Sequence, residues 1–204
     1  MTTGTLYIIS APSGAGKTSL LRALLEHDPH LRASVSHTTR PKRNGEQDGV
    51  DYHFVTTERF RELVTEGAFL EYAQVFDNFY GTSEAGIQQQ LEAGTDVVLE
   101  IDWQGACQVR ERMNDTVSIF ILPPSRESLV QRLTGRGQDS DEVIQRRTRE
   151  AREEISHYPE FDYLIINDVF EQALEELRAI VISRRLRQEP QAKRHREQIK
   201  DLLA

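Results

Sequence analysis

The chain is 204 residues long, 38% hydrophobic and 28% charged, the balance of a soluble globular protein with one substantial core or one core carrying inserted lobes. Its formal charge, 25 − 33 = −8, argues against a nucleic-acid polymer as the main partner. No apolar stretch approaches membrane-spanning length, and one cysteine, Cys107, allows no internal disulfide, so a reducing, cytoplasmic setting is expected. The opening Met-Thr-Thr-Gly enters a strand-like run directly, which leaves no room for a signal peptide.

The first predicted element is an apolar strand over 5–10. It runs into Ala11-Pro12-Ser13-Gly14-Ala15-Gly16-Lys17-Thr18 and then into a helix carrying Leu20, Leu21, Leu24 and Leu25 that should stop near Asp28-Pro29. This is a phosphate loop in its strand–loop–helix context, with Ala11 where a glycine is usual. Gly14 and Gly16 let successive N–H groups point inward around phosphate oxygens, and the helix adds its positive end. Lys17 should reach the β- and γ-phosphates, and Thr18 should offer its hydroxyl to Mg²⁺. The motif predicts a nucleoside triphosphate site.

Residues 34–91 break the strand–helix rhythm. Short strand candidates at 34–37, 51–55 and 69–75, a turn-rich stretch at 41–49 and a short amphipathic helix around Glu58–Glu66 predict a small strand-rich lobe inserted into the core. It contains Arg40 and Arg43 with Tyr52 and Tyr80 nearby, a set suited to a phosphate monoester because guanidinium forks bind its oxygens bidentately. Glu71 suits guanine, which presents two adjacent donors; adenine presents an acceptor and a donor there, leaving a repulsive contact.

The rhythm then resumes. Strands are predicted over 96–101, 117–122 and 163–167, with helices starting near Gln104, at Ser125 after Pro123-Pro124, and after Asp168. Between them, residues 134–158 hold Thr134-Gly-Arg-Gly and a highly charged helical segment with little apolar face, a candidate lid. The expected architecture is α/β: a parallel sheet core of phosphate-loop NTPase type flanked by helices, with the lobe and the helical lid inserted. The core is assigned to 1–33, 92–133 and 159–204. The C-terminal cations, among them Arg184, Arg185, Arg187, Lys193 and Lys200, read as a solvated basic helix.

Beyond the loop and lobe, Ile101-Asp102-Trp103-Gln104-Gly105, Ile121-Leu122-Pro123-Pro124-Ser125, Arg132-Leu133-Thr134-Gly135-Arg136-Gly137 and Ile166-Asn167-Asp168 complete a pattern that resembles the guanylate kinase family. The resemblance implies transfer of the γ-phosphoryl group of ATP to GMP with Mg²⁺, and supplies ATP as the donor. It puts Arg40, Arg43, Tyr52 and Tyr80 on the GMP phosphate, Ser36, Glu71 and Thr82 on the guanine, and Asp102 near the base or ribose. Arg136 and Arg147 match lid arginines that approach the transferring phosphates; Asn167 matches a position near the ATP adenine. Glu100 stands where some relatives have aspartate, which suggests a role behind the metal. Two other readings stay open: a catalytically silent interaction module of the same fold, and a kinase acting on a different acceptor.

Overall fold

The chain repeats one unit, an apolar strand feeding a helix that packs back onto the sheet. The structure is a computed structural model; it describes residues 3–75, 77–134 and 141–204, without the side chains of 141–147. In chain order the elements begin with β1 (Leu6–Ser10), α1 (Lys17–His27), β2 (Leu31–Ala33), β3 (His37–Thr38), β4 (His53–Phe54), α2 (Thr57–Thr65), β5 (Phe69–Val75), β6 (Asn78–Ser83) and α3 (Glu84–Glu92). They continue with β7 (Asp96–Glu100), α4 (Trp103–Arg112), β8 (Thr116–Leu122), α5 (Arg126–Thr134), α6 (Asp141–Ser156), β9 (Tyr163–Ile166), α7 (Phe170–Arg185), α8 (Gln188–Arg194) and α9 (Arg196–Leu202).

The main sheet has the order β2-β7-β1-β8-β9 and is parallel throughout. Its central strand β1 is buried at every residue, as a strand covered on both faces must be. Tyr7 and Ile9 pack on one face with Leu20, Leu21 and Leu24 of α1 and Leu177 and Val181 of α7. Leu6 and Ile8 pack on the other with Ile87 of α3 and Ala106 and Val109 of α4. Each fully buried aliphatic side chain contributes about 1.5–3 kcal/mol, so this double layer fixes where β1 ends and the loop begins.

A second sheet, β4-β3-β6-β5, forms the wall facing that loop. Three elements here differ from the expectation. Strand β2 is an unforeseen fifth member of the main sheet: it spans three residues with only Leu31 buried, too short to show an alternation. The strand predicted over 34–37 is a crossing point, where Ser34 N–H still donates to Val98 O of the main sheet and pairing in the second sheet starts at His37. Strand β6 was foreseen only as a motif, because Asn78 and Gly81 are poor strand formers; its partner β5 supplies the pairing.

The basic C-terminal stretch is not simply solvated. Arg185, at the end of α7, bonds Asp28 and Asp96 at 2.6 Å each, tying the last core helix to the end of α1 and the start of β7. Arg184 pairs with Asp115. Replacing Arg185 by Ala would leave two carboxylates of 14% and 10% side-chain exposure without their cation. The expected loss is about 3 kcal/mol, seen as a lower urea midpoint at unchanged slope; an unaltered midpoint would show that the pairs add no stability.

Candidate active site

The loop between β1 and α1 is shaped by Gly14 at φ 90° and Gly16 at φ 93°, left-handed values that any side chain resists. Gly16 is also the N-cap residue of α1, so the loop's N–H groups and the helix's positive end converge. Asn167 lies beneath it, buried, with Nδ2 donating to Ala15 O at 2.7 Å. Arg132 of α5 donates to Ala15 O at 3.4 Å and to Asn167 O at 3.0 Å. Together they turn the Ala15 carbonyl away from the cradle. A Cβ at Gly16 would stand 2.4 Å from Asn167 Nδ2, so this glycine is required by contact as well as by φ.

Three groups of the loop already have partners. Lys17 Nζ donates to Ile101 O at 3.3 Å, Thr18 Oγ1 donates to Glu100 Oε1 at 2.5 Å, and Ser13 N–H donates to Glu154 Oε2 at 3.1 Å. Glu154 belongs to α6, and burial raises its pKa, with Ser13 N–H and Lys17 opposing the rise.

Opposite the loop stands Glu71 on β5, only 3% exposed. Plain alternation would put Glu71 on the same face as Phe69. A register shift between these two residues breaks that pattern, as a bulge does: Phe69 stacks near Phe60, while Glu71 lines the cavity with Ala73 and Val75. Burial pushes the Glu71 carboxyl up to about 7, helped by the charge of Asp102 and opposed by hydrogen bonds from Thr82. Thr82 sits directly across from Glu71 in the β5–β6 ladder, and its hydroxyl is 3.1 Å from that of Ser36. Behind Glu71, a Cβ at Gly105 would be 2.6 Å from its Oε2, so a side chain there would displace the carboxylate from this position. Asp102 is the N-cap of α4, with Oδ1 accepting from Gly105 N–H at 2.9 Å.

One cavity of about 330 Å³ joins the two ends. Its lining takes in Ala11–Gly14 and Gly16–Thr18 of the loop, Ser36, Tyr52, Glu71 and Tyr80 of the wall, Glu100, Asp102 and Glu154. Burial, with Glu100 next, raises the Tyr52 hydroxyl pKa, so it stays a donor. Arg40 sits at the side: its guanidinium bonds Glu46 at 2.6 Å and lies 5.4 Å from the centre of the Tyr52 ring. Arg43 is exposed, and its backbone N–H donates to the other oxygen of Glu46 at 2.8 Å. Neither arginine lines the cavity, nor do Thr82, Ala15 and Asn167. Arg136 lies outside the described residues, and so does the side chain of Arg147.

Arg132, Glu46 and Glu154 were not singled out from the sequence. Arg132 stood inside a quoted motif and Glu46 three residues after Arg43, a spacing that could have suggested a pair. Glu154 gave no signal, sitting beside Glu150 and Glu153 in one run of charge.

A glycine-shaped loop opening a helix and a buried carboxylate face each other across one cavity, and comparison with known proteins narrows the chemistry. The family model described as guanylate kinase matches residues 3–184. A guanylate kinase of Alkalilimnicola ehrlichii is 59% identical over 200 residues, 98% of each chain. One from Methylobacillus flagellatus is 60% identical over 200 residues, covering 98% of this chain and 99% of its own. The crystal structure of guanylate kinase from Anaplasma phagocytophilum superposes with a TM-score of 0.77 at 35% identity, covering 92% of this chain and 89% of that one. The chain belongs to the guanylate kinase family.

Proposed function

We infer that this chain transfers the γ-phosphoryl group of ATP to GMP, giving ADP and GDP. The observation that carries the inference is the single cavity with a phosphate loop at one end and the buried Glu71 carboxylate at the other. The site can be read from its two ends inward.

At the acceptor end, ionised Glu71 accepts from guanine N1–H and the exocyclic amine, and Ser36 and Thr82 complete the base contacts. The burial that raises the Glu71 pKa also makes an unmatched base expensive, because a buried acceptor left without a donor costs about 1–3 kcal/mol. Tyr52, Tyr80, Arg40 and Arg43 hold the GMP phosphate. Arg40 already binds an anion, the Glu46 carboxylate at 2.6 Å, which supports a phosphate taking the same fork. Asp102 borders the cavity beside the base or ribose.

At the donor end, residues 11–18 cradle the ATP phosphates, with Lys17 swinging from Ile101 O to the β- and γ-oxygens. Asn167 supports the loop from behind and stands toward the adenine. Thr18 and Glu100 offer a hydroxyl and a carboxylate 2.5 Å apart, hard oxygen donors that fit Mg²⁺, an ion that uses few protein ligands beside phosphates and water. Bound there, Mg²⁺ would neutralise phosphate charge in the transition state. The GMP phosphate, with a second pKa of about 6, is already ionised near neutrality and attacks directly in line, so no side-chain base is needed. Arg136 and Arg147 would spread the developing charge from the lid at 134–158. Closure of the lobe at 34–91 over the core would exclude water as a competing acceptor. dGMP is expected to serve as well, since no described group singles out the 2′-hydroxyl. A protein that consumes ATP and GMP belongs in the cytoplasm, and among the described residues no helix is long and apolar enough to cross a membrane.

ADP release with GMP, dGMP, AMP, CMP and UMP tests the assignment: GMP should exceed AMP by at least about 100-fold in kcat/KM, and comparable turnover with AMP would overturn the acceptor. Glu71→Gln turns a donor toward a donor, with an expected loss of about 100-fold or more in kcat/KM for GMP. Its stability should move the other way. A carboxyl whose folded pKa is raised holds its proton above the unfolded value, so the empty fold loses stability as pH rises from the ordinary glutamate range through about 7. Empty Glu71→Gln protein should therefore melt higher than wild type above pH 7 and lose that advantage near pH 4; the same difference at both pH values would contradict the buried, protonatable carboxyl.

A further inference from the structure

We propose that Glu154 holds the place of the donor's terminal phosphate in the empty enzyme, a carboxylate of the chain's own seated on a loop N–H donor that ATP must displace. The contact joins residues far apart in sequence, Glu154 Oε2 to Ser13 N–H at 3.1 Å. Ser13 precedes Gly14 and Gly16 and lines the same cavity as Lys17, the side chain expected to reach the β- and γ-phosphates. Glu154 borders the same cavity as Lys17 and Thr18. Lys17 attracts its charge, while burial together with Asp102 and Glu150 opposes it.

The position of Glu154 is built rather than incidental. Three residues before it, Ala151 is fully buried against Leu129 and Leu133 of α5. Three residues after it, His157 stacks flat on Trp103, with ring centres 3.5 Å apart and planes 7° apart. That imidazole also bonds Glu160 at 2.6 Å. The end of α6 is thus clamped on both sides of the carboxylate. A polyanionic phosphate brought to Ser13 meets this negative charge in a partly desolvated cleft, where like charges repel more strongly than in water. Arrival of ATP therefore breaks the Ser13–Glu154 bond and loosens the end of α6 from the loop, linking donor binding to the helix that carries Arg147. The inference rests on residues 11–18 being the triphosphate site and adds a regulated occupancy to it.

Calorimetric titration of ATP and of ADP into wild type and Glu154→Gln tests it. The amide keeps an acceptor oxygen for Ser13 and discards the charge. ATP affinity should rise about 3- to 10-fold, and ADP affinity, with no terminal phosphate to meet residue 154, should change by less than about 2-fold. Equal gains for both nucleotides, or no gain for ATP, would overturn the proposal. Failure of the wild type to bind ATP would instead overturn the loop assignment. Should Glu154→Gln not fold, the Ser13 amide resonance of the wild type decides: a larger shift with a non-hydrolysable ATP analogue than with ADP is expected, and equal shifts count against it.

Discussion

The site depends on keeping one carboxylate, that of Glu71, out of water. Burial alone would neutralise it, and its pKa of about 7 reflects a balance between desolvation and the hydrogen bonds of Thr82. Each neighbouring feature serves that balance. The irregularity in β5 turns Glu71 inward, Gly105 leaves room for its Oε2, and the β5–β6 ladder sets Thr82 opposite. A group so poorly compensated in the empty site binds best the ligand that brings two donors at once. In the proposed role of Glu71, specificity for guanine would arise from a cost held in the free protein and relieved on binding.

The proposed phosphate positions follow a related logic with opposite charge. Arg40 is paired with Glu46, and Ser13 N–H with Glu154, so groups poised for anions hold carboxylates of the same chain. Lys17 is parked on the Ile101 carbonyl. Such internal partners keep these donor groups satisfied without substrate. They also mean that binding exchanges one set of ionic contacts for another, so its net strength depends on differences between similar terms.

Legibility in the sequence followed locality. The strand–loop–helix around residues 11–18 was readable because its glycines, lysine and threonine fall within one short stretch of sequence. The core strands were readable because apolar, β-prone runs of three or four residues stand out between helical patterns. Strand β2 has one buried residue, and β6 takes its shape from pairing with β5, so neither had a signal of its own. Glu71 was singled out as a buried carboxylate matched to guanine's donors, and it is buried; the register shift beside it leaves no mark in composition. Support of the loop by Asn167 and Arg132 spans the whole fold. So does Glu154, whose neighbours in sequence are just as charged.

The central claim is that Glu71 is protonatable when the site is empty and ionised when guanine fills it. Calorimetry of GMP binding near pH 7.5, in buffers of different ionisation enthalpy, measures the protons exchanged. At that pH the GMP phosphate, with a second pKa of about 6, contributes almost none. With a pKa of about 7 for Glu71, the account predicts release of roughly a quarter of a proton per GMP bound. No exchange, or uptake of protons, would contradict it.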